Sequence, residues 1–334
     1  MKDLVEAALE SIDGRDPEPV DDGPVADEFG PPTCALVGCG PAGVDRIENL
    51  EERTETETIM PRPDAGPTGA DVSVPLSLEQ NTSLNEGSST GYADSELDLD
   101  DAVLDADIVA VTTHLGEPDA GWLAESVCRQ LSADQTVLAV PSVPQEGLTD
   151  ASRAALLELI DAAGTTIPYD LARIEDAFCR TSPMGDEPLA RATALIAELL
   201  EDIFAAFRGS IAAPCLRQQV LYELFDSDGV AVLYWGWGTR SDDPEALIHD
   251  AAAHRLCDGN RETTSGGFGF VRFGPEFTLE EFESIRAHSY DLLCPDGVSE
   301  KRWILCGDTS PGLSGDYRVM LLLTGIAPES LPFR

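Results

Sequence analysis

A short apolar run, Cys34-Ala35-Leu36-Val37, leads directly into Gly38-Cys39-Gly40-Pro41-Ala42-Gly43, and this junction constrains the fold more than any other stretch. It predicts a strand that feeds a glycine turn and then a helix over roughly Ala42 to Glu52. Glycines at such a turn permit positive φ and close approach of the backbone, and the helix points its free N–H groups at whatever lies beyond. A nucleotide phosphate commonly occupies that place, which makes Gly38, Gly40 and Gly43 candidate cofactor-binding residues. A tight strand-to-helix turn without a ligand would need the same glycines.

Charge restricts the partners such a fold can have. The chain has 62 acidic and 21 basic side chains among 334 residues, a formal charge of -41, and its only lysines are Lys2 and Lys301. An acidic, lysine-poor surface suits a concentrated salt cytosol, where the Debye length falls to about 3 Å at molar ionic strength and self-repulsion is screened. It argues against nucleic acid and against anionic membranes as direct partners. The eight cysteines form no C-x-x-C pair, so they predict buried free thiols in a reducing cytoplasm, with no metal site. No basic-then-apolar leader opens the chain and no apolar run reaches about 18 residues, so a cytoplasmic protein without membrane insertion is expected.

The pattern along the chain divides it. Leu4, Val5, Ala8, Leu9 and Ile12 share a helical face, and an Asp, Pro and Gly-rich stretch follows, giving an acidic N-terminal helix and flexible linker over 1–32. That helix is either a frayed tail or a handle for a partner. From 33 to 185 strands and helices alternate, with strands near Ala35–Val37, Thr58–Met60, Asp107–Thr113 and Thr136–Pro141. Such alternation predicts a parallel sheet flanked by helices. An insert over about 61–100 is poor in periodic apolar residues and rich in turn formers, so it reads as a partly disordered excursion. Glu187 to Arg208 carries apolar residues on more than one face and predicts a long, mostly buried central helix, within a segment spanning 186–212. Beyond it, strands at 229–235, 266–273, 302–306 and 317–324 with helices at 243–256 and 279–293 predict an α+β C-terminal domain over 213–334. Thr278 and Glu281 supply a capping box for the last helix.

These elements and their texts resemble the tubulin/FtsZ superfamily from about Thr33 to Ile326, in the form of a divergent, haloarchaeal-type FtsZ-like protein. Val37 to Gly43 is similar to the first phosphate loop of FtsZ, and Asp105 to Thr112 to the strand that precedes its glycine-rich signature. Thr165-Thr166-Ile167-Pro168-Tyr169-Asp170 with Asp176-Ala177-Phe178 resembles the approach to the central helix. The C-terminal order, including Gly266-Gly267, Phe277 to Phe282 and Tyr317-Arg318-Val319, resembles the activation domain. The resemblance implies a Rossmann-like GTPase-type domain, a long central helix and an α+β C-terminal domain, with head-to-tail stacking of subunits. Partners implied are the chain itself, FtsZ-family proteins and division or membrane-remodelling factors.

Departures from the family pattern fall on its chemistry. Where FtsZ has G-G-G-T-G-[ST]-G, whose N–H groups wrap the phosphates, this chain has His114-Leu115-Gly116-Glu117-Pro118-Asp119-Ala120-Gly121. Glu117 and Asp119 would each repel a phosphate by about 1 kcal/mol at roughly 4 Å in water, and by about 4 at an effective dielectric near 20. Loss of glycines and the presence of Pro118, which has no N–H, remove donors that salt cannot restore. His114 reads as a hydrogen-bonded structural residue rather than a ligand. Where FtsZ follows its central helix with N-x-D-x-x-D, the chain reads Ala212 to Val220, with Cys215, Arg217 and Gln218 and no carboxylate, which implies loss of the group that positions water, typically about 10²–10⁴ in rate. Ser182-Pro183-Met184-Gly185 interrupts the base-reading helix, with Asp186 as a substitute only after a shift in register.

The reading is therefore a non-hydrolysing FtsZ-like assembly or regulatory protein in cell division, cell shape or membrane remodelling, a pseudo-GTPase with no catalytic residues and no required cofactor. One alternative keeps GTP or GDP on Gly38, Gly40 and Gly43 with very slow hydrolysis. Another is a Rossmann oxidoreductase using NAD(P) or FAD, for which the second domain offers no His, Lys or Tyr constellation. The last strand ends close to Arg334, so no long tethering tail is expected.

Overall fold

The computed structural model describes residues 32–43, 72–76, 97, 99–131, 134–178, 188–208, 218–227, 229–239, 243–293, 302–309, 313 and 316–331. The predicted N-terminal helix, the body of the helix after Gly43 and the strand at Thr58–Met60 lie outside these residues.

The first half is a parallel sheet in the order β2-β1-β3-β4-β5, made of β1 (Cys34–Cys39), β2 (Val72–Leu76), β3 (Ile108–His114), β4 (Thr136–Val143) and the two-residue β5 (Thr165–Thr166). A further pair, β6 (Tyr169–Asp170), adds to β4. Every residue of β1 and β4 is buried, as strands covered on both faces must be. Successive side chains point to opposite faces. Ala35, Val37, Val109, Val111, Val137 and Ala139 pack with Leu123, Val127 and Leu159, which belong to helices α2 (Pro118–Gln130) and α3 (Asp150–Ala162). Leu36, Ile108, Ala110, Leu138 and Val140 instead join the central helix. A short helix α1 (Asp101–Leu104), capped by the Asp100 carboxylate on the Ala102 N–H, precedes β3.

The predicted insert departs from expectation. It contributes β2, which pairs in parallel with β1 from Ala35↔Val72 to Cys39↔Leu76 and lies at the end of the strand order. Pro75 explains both its position and why it escaped the sequence reading, because a proline is tolerated on an edge strand and breaks a strand signal elsewhere.

Helix α4 (Leu171–Phe178) leads toward the central helix, α5 (Pro188–Phe207), whose 20 residues run about 30 Å. Leu195, Ile196, Leu199, Leu200, Ile203, Phe204 and Phe207 are buried in one core with residues from both halves of the sheet. Helix α6 (Gln218–Phe225) follows. The second half comprises β7 (Val230–Thr239), α7 (Pro244–Ala253), β8 (Gly266–Phe273), α8 (Leu279–Leu293), β9 (Trp303–Thr309) and β10 (Asp316–Ile326). Here β10 is antiparallel to β7 and β8, and β8 is parallel to β9. The halves form one sheet through a single pair, Thr166↔Val230, reinforced by the Thr166 N–H donating to the Gly229 carbonyl at 3.0 Å. The capping box at α8 forms as the sequence predicts: the Glu281 N–H donates to Thr278 Oγ1 at 3.2 Å and the Thr278 N–H to Glu281 Oε2 at 2.7 Å.

Candidate functional site: a closed glycine turn

β1, β3 and β4 end side by side, and the turns that leave β1 and β3 form the place where an open α/β sheet takes its ligand. Of the three predicted turn glycines, Gly38 lies inside β1, Gly40 in the bend that follows and Gly43 in the helical turn beyond, all buried. Packing alone requires two of them. Gly40 has φ +76°, and a Cβ added there would overlap the Cβ of Ala120 and lie 3.1 Å from Glu117 Oε2. A Cβ on Gly43 would lie 3.0 Å from the Gly38 carbonyl carbon and 3.1 Å from the Thr112 oxygen, so the helical turn beginning at Pro41 approaches the strands too closely for a side chain.

The turn after β3 is short. β3 ends at His114 and α2 begins at Pro118, leaving Leu115, Gly116 and Glu117 between them. Leu115 is fully buried, and its N–H donates to the Ser142 carbonyl at 2.9 Å. The Glu117 N–H closes the turn on the His114 carbonyl at 3.0 Å. Pro118 fits the first helical position, where its missing N–H costs the helix nothing. Ala120 and Gly121 both donate their N–H groups to the Glu117 carbonyl, at 3.0 and 3.2 Å. Of the four N–H positions from 118 to 121, one is therefore absent and two are engaged, which leaves the Asp119 N–H beside an exposed Asp119 carboxylate. This is the reverse of an anion nest, which needs several converging free donors.

The remaining residues of the turn take structural parts. Gly116 is exposed, and a Cβ there would come 2.5 Å from His114 Nε2. Gly121 is buried, and a Cβ there would lie 3.0 Å from Ala155 Cβ of α3. His114 Nδ1 lies 2.8 Å from Ser142 Oγ. Glu117 carries no side-chain capping bond, and its Oε2 is buried with no hydrogen-bond partner. Cys39, the last residue of β1, is fully buried, and burial first, then the neighbouring Cys128, raises its thiol well above the usual range. Burial and then Glu125 push Cys128 up to about 12. Neither thiol is a nucleophile at neutral pH. The described cysteines, Cys34, Cys39, Cys128, Cys257 and Cys306, are all buried, and none of them is in a disulfide.

At the second candidate loop, Cys215 and Arg217 lie outside the described residues, as do Ser182, Pro183, Met184, Gly185 and Asp186. Gln218 is the first residue of α6. If N-x-D-x-x-D is counted from Gln218, Val220 takes the place of the first acid and Glu223 of the second. Glu223 is exposed on α6, and its Oε1 accepts from Gln219 Nε2 at 3.3 Å. Carrying the motif spacing three residues past Val220 would have found it.

No family model matches the chain. Over 344 aligned residues it is 24% identical to cell division protein FtsZ 2 of Halobacterium salinarum, covering 98% of this chain and 84% of the relative. Its fold superposes on the FtsZ dimer of M. jannaschii with a TM-score of 0.68 at 16% identity, covering 96% of this chain and 92% of that one. Against the GTPγS-bound protofilament of CetZ2 from Haloferax volcanii the TM-score is 0.60 at 17% identity, covering 88% and 93%. The parallel half, the long central helix and the mixed C-terminal half thus define a protein of the FtsZ/tubulin fold. In sequence the chain is similar, at 24% identity, to the haloarchaeal FtsZ 2 proteins.

Among the described residues no helix is long and apolar enough to cross a membrane, and no group of three or more His, Cys, Asp or Glu side chains is placed to hold a metal ion.

Proposed function

We propose that this chain is an FtsZ-like cytoskeletal protein, acting in cell division, cell shape or membrane remodelling, that associates with itself or with FtsZ-family proteins without hydrolysing GTP. One observation carries the loss of nucleotide chemistry. The glycine turn that would cradle a phosphate is in contact with the first turn of α2 through Ala120 and Glu117, and that helix start brings a proline, a carboxylate and engaged N–H groups where a phosphate needs donors. Repulsion by Glu117 and Asp119 adds to this, but molar salt weakens it. Filled space and missing donors do not depend on salt. The name of the similar haloarchaeal proteins supports the cell-division setting.

A turnover assay in molar KCl, with protein well above micromolar, tests the reading. The expected outcome is phosphate release no faster than in buffer. Protein-dependent release at the rates of an active FtsZ refutes it.

A second reading, a GTP-binding filament protein with very slow hydrolysis, is favoured by Glu223 alone. Its exposed carboxylate stands at the spacing of the second acid of the catalytic loop, where it could reach a neighbouring subunit. It requires the contact between Gly40 and Ala120 to open, and calorimetry with GTP reports that directly.

A further inference from the structure

Three rows of residues cross the face of the C-terminal sheet beneath α5. Strand register aligns Leu233, Leu322, Phe268 and Ile304 in the first and Trp235, Met320, Phe270 and Cys306 in the second. Both rows are apolar and belong to the core that contains α5. The third row continues the same register with Trp237, Arg318, Arg272 and Asp308.

Over this row α5 presents Glu198, Glu201 and Asp202. Arg272 Nε donates to Asp202 Oδ1 at 2.8 Å, and Arg272 Nη2 donates to the same oxygen at 2.5 Å and to Glu201 Oε2 at 2.9 Å. Arg318 Nη1 pairs with Glu198 Oε1, and its guanidinium carbon stands 5.2 Å from the centre of the Trp237 ring. Asp202 is 2% exposed. Arg272 and Arg318 are directly opposite in the antiparallel pair β8–β10, an arrangement that destabilises a sheet unless other charges neutralise it. Glu198 and Asp202 are one helical turn apart, so each turn supplies one arginine.

We propose that this row is a register lock that holds α5 at a single axial position on the C-terminal sheet. Apolar rows alone are permissive, because leucine and phenylalanine pack against one another in several registers. The charges are not. A slide of one turn, about 5.4 Å, moves Asp202 to Arg318 and brings Ala206 to Arg272. The opposite slide moves Glu198 to Arg272 and brings Ala194 to Arg318. Either way one arginine of a like-charged pair faces an alanine. Fixing register is the best-attested use of buried charge, which adds little net stability compared with apolar packing. The lock also deepens the functional reading, and in this clause rests on it: a subunit whose central helix is held by its own charges needs no ligand to take its assembling shape.

The test uses the full chain and three variants, Asp202→Asn, Arg272→Met and the double Asp202→Leu/Arg272→Met, followed by thermal melting and by hydrogen exchange of α5 peptides in molar KCl. Measured at about pH 8, above the titration of Asp202, each single variant should melt lower, since it strands one charge. The double variant should melt near the wild type, yet its α5 amides should exchange about tenfold faster, in two populations, because the helix has lost its unique seat. Wild-type exchange across α5 in the double variant overturns the lock, as does a wild-type melting temperature in both singles. If a single variant does not fold, the double variant decides alone. Light scattering of the wild-type protein separates the two claims: assembly controlled by GTP refutes the functional reading and leaves the lock standing, whereas wild-type exchange in the double variant does the opposite.

Discussion

Gly40 and Ala120 are in contact across the two turns that open the C-terminal edge of the parallel sheet, with the Glu117 carboxylate beside them. Phosphate, which demands converging N–H donors, meets a methyl group and a carboxylate there. Calorimetry with GTP and with GDP should therefore give no binding heat. Submillimolar binding that disappears on changing Gly40 would favour the second reading.

The same contact makes Gly40 a stability determinant. Gly40→Ala forces a side chain into left-handed φ, at about 1–2 kcal/mol, and into overlap with Ala120, at about 1–3 kcal/mol more. Urea unfolding should show the loss, and any GTP turnover should be the same in both proteins. An equally stable variant would mean the turn is looser than its geometry implies.

Burial raises the Asp202 carboxyl to about 7, against the lowering pull of Arg272 and with help from Glu201 and Glu198. The group then keeps its proton in the folded chain at pH values where the unfolded chain has already released it. Folding takes up a proton between about pH 4 and 7, so this contribution to stability is present at low pH and is lost as pH rises through about 7. Asp202→Asn should flatten that part of the pH–stability curve, read as melting temperature against pH at constant salt. The wild-type slope surviving in the variant would assign it to other carboxylates.

Glu223 tests whether a trace of the catalytic loop still acts. Glu223→Ala should leave phosphate release at the buffer rate, with no change in melting temperature beyond the roughly 0.5 kcal/mol typical of an exposed site. A measurable wild-type rate that this change abolishes would make Glu223 a working acid.

Much of the fold was legible because its main elements carry strong local signals. The continuous apolar runs of β1, β3 and β4, the multi-faced apolar pattern of α5 and the Thr278–Glu281 cap each specify their own element. Three features escaped for physical reasons. Pro75 disguised β2, since an edge strand tolerates what a central one does not. β5 and β6 have two residues each, too few to show a period. Of the candidate site, the short Glu117-Pro118-Asp119 turn was legible, yet nothing in sequence placed Ala120 against Gly40, across 80 positions. Glu223, three residues past Val220 on α6, lies beyond the loop text that ends at Val220.

If the chain associates without a nucleotide switch, as proposed, light scattering of the full chain in molar KCl, freed of bound nucleotide, should read the same with no addition, with GDP and with GTP. Three superimposable curves are predicted, with the same extent of association at each protein concentration. Assembly that appears only with GTP and decays as phosphate is released would contradict it.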